Sequence, residues 1–168
     1  FAERSYAPWT DMEEQMRSAE IPLFSVDTHR PAAEFDIIAF NLSAELVYTN
    51  VLNCIDLAGL AVRADERDDS DALIGAGGHC AYNPEPLAEC MDVLFIGEGE
   101  GMAESFFDLL RKNEDRDRFF ERAVSIPGRA RDRPGRRPET PQAAWAPLHP
   151  CRTRRVGRPQ SNGRRRSW

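Results

Sequence analysis

The sequence predicts an α/β domain, a Rossmann-like or flavodoxin-like doubly wound parallel sheet, followed by a disordered basic tail. Three observations predict it. Apolar runs of strand length occur at 35–42 (FDIIAFNL), 72–78 (ALIGAGG) and 91–97 (MDVLFIG). Continuous runs of this kind suit strands covered on both faces, as in parallel sheets. Helical patterns separate the runs at the spacing of βαβ units. Glycines cluster where two runs end, at Gly75, Gly77 and Gly78 and again at Gly97, Gly99 and Gly101, and open α/β sheets bind ligands outside the carboxyl ends of their strands.

Taken in order, Ser5–Ala7 is a short strand candidate. A helix starts at Thr10, which with Glu13 makes a capping box, and Met12 and Met16 share one of its faces. IPLFSV (21–26) is extended, with Pro22 and Pro31 as loop punctuation. The strand at 35–42 leads into a helix from about Leu46 to Ala58. Val47, Val51, Ile55 and Ala58 line its buried face and Gly59 suits its C-cap. ADERDDSD (64–71) reads as a solvated charged loop. After the strand at 72–78, Asn83 and Pro84 open a helix. The strand at 91–97 is followed by a helix from Gly101 to Arg111 that buries Phe106 and Leu110, and by a last helix over about 115–124.

The net charge of −6 conceals a split. Residues 1–124 hold 26 acids and 10 bases, whereas residues 125–168 hold 2 acids and 12 bases, all arginine. The second segment also carries 7 prolines and 4 glycines and keeps no period, so a domain over 1–127 and a disordered tail over 128–168 are expected. The tail lacks the aromatic interleaving of a base-stacking arm, and nucleic acid is not expected as a partner. Its composition is what out-of-frame translation of GC-rich DNA yields. No apolar run reaches the ~18 residues of a membrane span, and no signal peptide is visible. The first residue is Phe, which suggests a start inside a longer gene product. Cys54, Cys80, Cys90 and Cys151 form neither a CxxC pair nor a zinc spacing, as expected of thiols in a cytoplasmic protein.

Candidate chemistry centres on the glycines. GEGEG (97–101) mimics a dinucleotide fingerprint but puts Glu98 and Glu100 where phosphates would sit, which argues against NAD or ATP. A glycine at a strand end either lets backbone approach a ligand or simply makes a tight turn. His79 and Cys80 are adjacent but lack a matching pair of metal ligands. No residue stands out as catalytic.

Residues 6–60, from YAPWTDMEEQ to CIDLAGL, followed by IGAGGHCAYNPEPLAECMDVLFIGEGE, resemble the N-terminal region of a family of bacterial radical SAM proteins. In that family a cobalamin-binding-like domain precedes the radical SAM barrel. The resemblance spans about residues 2–127 and is carried best by APWTDME, ELVYTNVLN, AGG with NPEPLA, and IGEGE. It implies strand order 2-1-3-4-5. It also implies that the intact protein cleaves S-adenosylmethionine at a [4Fe–4S] cluster held by CxxxCxxC, with the barrel as this domain's partner in cis. By position it brings Asn41, Leu42, Gly77, Gly78, Glu98 and Gly99 to a cofactor-binding cleft and allows cobalamin as the ligand.

Three departures qualify the resemblance. The first strand and helix of the fold are missing, so ERSYA (3–7) is expected to be poorly anchored and the DIIAF edge exposed, leaving a marginal, aggregation-prone chain. The DxHxxG motif of lower-axial cobalamin ligation is absent. So is CxxxCxxC, so the chain is not expected to be an active enzyme alone. Three functions stay open: the cobalamin-binding-like domain of a radical SAM enzyme, a Rossmann-like docking module without cobalamin, and, ranked last, a small nucleic-acid-binding protein with a basic arm.

Overall fold

Three parallel strands form one sheet in the computed structural model, which describes residues 1–97, 99–112, 115–123 and 126. The strands are β1 (Ile37–Asn41), β2 (Leu73–Gly77) and β3 (Val93–Phe95), in the order β1-β2-β3. Ile37 pairs with Leu73 and Asn41 with Gly77, while Gly75 to Gly77 pair with Val93 to Phe95. Four helices accompany them: α1 (Thr10–Ser18), α2 (Tyr48–Leu57), α3 (Met102–Leu110) and α4 (Arg116–Ala123). The α/β class and the parallel sheet follow the expectation. The 128–168 tail lies outside the described residues.

The period of two along β2 sends its side chains to two different cores. Ile74 and Ala76 join Met16, Leu23, Val51, Ile55 and Leu94 beneath α1 and α2. Leu73 joins Val93, Met102, Phe106, Leu109 and Phe119 beneath α3 and α4. Phe106 is wholly buried and meets the rings of Phe95 and Phe119 edge-on, the geometry that aromatic quadrupoles favour. Helices therefore cover both faces, as in a doubly wound sheet.

Helix α2 behaves as its sequence requires. Val51, Ile55 and Ala58 are buried and Val47 packs against them. Its end is a Schellman motif: Gly59 takes φ +78°, its N–H bonds the Asp56 carbonyl, and the Leu60 N–H bonds that of Ile55. Polar groups lock α1 onto it. Asn53 donates to Glu13 at 2.7 Å, and Arg17 reaches Glu13, Asn53 and Asp56 at 2.8, 2.8 and 2.9 Å.

Several local expectations are corrected. Ser5–Ala7 joins no strand, yet ERSYA is anchored. The Arg4 N–H bonds Asp27 at 2.8 Å, its carbonyl accepts the Val26 N–H at 2.8 Å, and the Ser5 hydroxyl donates to the Phe24 carbonyl at 2.8 Å. The turn bracketed by Pro22 and Pro31 therefore takes the segment that the sheet does not. At α1 the N-cap is Trp9, and no side chain caps it; Glu13 turns to Arg17 and Asn53 instead of back to Thr10. Met16 is buried on that helix while Met12 stays 44% exposed. The helix expected after Asn83 is only one 3-10 turn, Glu85–Leu87, because Pro86 restricts Glu85 before it. In α3 Leu109 goes deeper than Leu110.

Strand β1 shows the exposed edge expected of DIIAF: Ala39 is exposed and Ile37, Ile38 and Phe40 are half-buried, although the apolar run taken alone suits burial on both faces. It occupies the sheet edge.

Candidate functional site

The carboxyl ends of β1 and β2 bring four of the six candidate residues together. The Leu42 N–H donates to the Gly77 carbonyl at 2.6 Å, and the Cys80 N–H to the Leu42 carbonyl at 3.0 Å. Tyr48, at the start of α2, donates its hydroxyl to the Cys80 carbonyl at 3.0 Å. Loss of solvent around this phenol pushes its pKa up, which keeps the hydroxyl a donor.

Gly78 is the tightest point. Its φ is +108°, and a Cβ there would lie 2.6 Å from Asn41 Oδ1 and 2.9 Å from the Leu42 carbonyl oxygen. Glycine is required because this chain's own atoms fill the space. A Cβ at Gly77 would press on Phe95 at 3.3 Å. Leu42 is 1% exposed and part of the core, whereas Asn41 is exposed. The strand ends thus dock onto each other at Gly78, with Asn41 and Gly78 both on the surface. Gly99 stands apart: a Cβ there meets nothing within 4 Å, and its carbonyl accepts the Ala103 N–H at the start of α3. Glu98 lies outside the described residues.

Among the described residues the donors of a [4Fe–4S] cluster do not assemble. Cys54 is buried on α2, and Cys80 and Cys90 are half-buried on separate loops. Burial pushes the thiols of Cys54 and Cys90 up, against the thiolate a cluster needs. Among the described residues no three His, Cys, Asp or Glu converge as a metal site, and His79 is exposed in a 3-10 turn. The described residues do not fit a cluster.

One structural centre was illegible in the sequence. Arg67, inside the supposedly solvated 64–71 loop, has a fully enclosed side chain. Its Nε lies 3.2 Å from Asp92, Nη1 donates to the Ala61 carbonyl at 2.7 Å and Nη2 to that of Cys90 at 2.7 Å. Asp92 also accepts the Ile74 N–H at 2.7 Å. The pair ties the segment after α2 to β2 and the entry of β3. The available signal was Asp92 directly ahead of an apolar run, where a carboxylate needs a cation.

Two clefts open elsewhere. One, of about 510 Å³, lies at the amino ends of β1 and β2 among Arg30, Glu34, Asp36, Asp69, Asp71 and Asp115. The other, of about 700 Å³, runs along the free edge of β1 between residues 1–7 and 37–41. Val51 and Cys54 of α2 line one side, and Phe107 and Leu110 of α3 the other.

Among the described residues no helix is long and apolar enough to cross a membrane. No curated protein and no solved structure matches this chain. The profile of one family, described as radical SAM proteins, N-terminal, matches residues 1–129. With that match covering most of the chain, and with a parallel α/β sheet beneath it, the chain belongs to the radical SAM proteins and comprises their N-terminal domain.

Proposed function

We propose that this domain is a docking module of a radical SAM protein, placed in cis beside the barrel that carries the S-adenosylmethionine and [4Fe–4S] chemistry. The observation that carries this reading is the junction at Gly78. Asn41 and Leu42 take the space that a side chain at Gly78 would need, so the chain's own packing accounts for this glycine without a ligand. The separation of Cys54, Cys80 and Cys90 points the same way, since it leaves radical initiation to another part of the polypeptide. On this reading the domain contributes shape and surface, and no residue of it forms or breaks a bond. The setting is cytoplasmic.

Titrating hydroxocobalamin into the chain tests the choice. The docking reading expects an unchanged visible spectrum and no binding heat up to high micromolar ligand. It also expects a stable complex, by analytical ultracentrifugation, with the separately produced barrel of an intact family member. Saturable cobalamin binding that Gly78→Ala abolishes overturns the docking reading in favour of the cobalamin one.

A further inference from the structure

No further inference is drawn: the strongest candidate, the cleft of about 510 Å³ at the amino ends of β1 and β2, is rimmed by the acidic cluster of Glu34, Asp36, Asp69, Asp71 and Asp115, and no second observation among the described residues points to a ligand for that cluster.

Discussion

Strands β1 and β2 read almost alike, IIAFN against LIGAG, and pair residue for residue over their whole length. Their fates differ. In β2 the first four residues are buried and Ile74 and Ala76 have no exposed surface. In β1 no residue is buried and two are exposed. The difference lies in neighbours. β2 has a strand on each side and helices on both faces, whereas β1 has a strand on one side and a cleft on the other. Apolar content records what a strand was built to be covered by. Only packing shows whether the cover is there.

The strongest way to break this comparison is to cut what holds β2 in place. Asp92→Ala strands the enclosed Arg67 guanidinium and frees the Ile74 N–H. A loss of about 3–5 kcal/mol is expected, enough to unfold a domain of ordinary marginal stability; urea denaturation followed by circular dichroism measures it. Next come matched truncations in the two strands. Ile74→Ala should cost about 2–5 kcal/mol and Ile38→Ala about 1 kcal/mol. Equal losses would show that β1 is covered in solution.

Glycine at the strand ends gives a smaller contrast. Gly78→Ala should cost about 2 kcal/mol, since a left-handed φ is compounded by contact with Asn41 and Leu42. Gly59→Ala, at φ +78° and in open space, should cost about 1 kcal/mol. Midpoints of thermal melts separate the two.

The smallest effect concerns the wall facing β1. Hydroxyl hydrogen bonds from Ser25 and Thr28 hold the Glu3 carboxyl below its usual range, and the Arg4 backbone N–H does the same for Asp27. Both folded pKa values lie under their unfolded ones. Their contribution is therefore complete above the ordinary carboxylate range and is lost as pH falls through the depressed values. Residues 1–7 should release at acid pH before the sheet melts. Amide exchange at Arg4 and Val26, compared with that at Ile74, measures the order.

Much of this was legible beforehand. The three strands, the buried face of α2, its Gly59 cap and the two-sided cover of β2 follow from period, run length and one left-handed residue. These are local properties, and local sequence encodes them. Asn41, Leu42, Gly77 and Gly78 were also correctly grouped, because parallel strands end together. Whether that group meets a ligand or only itself depends on ångström-scale distances that no spacing rule reports. The Arg67–Asp92 pair escaped because an arginine among five acids in 64–71 looks solvated. Its burial depends on a carboxylate 25 residues away.

The sequence by itself determined the class of the fold, the order of its elements and its family. Hydrophobic periodicity and turn chemistry act over a few residues and survive without a partner. Tertiary structure alone decided that Arg67 is buried and that Gly78 packs against Asn41 and Leu42. Each of those depends on which distant atoms fill, or leave unfilled, the space beside a residue.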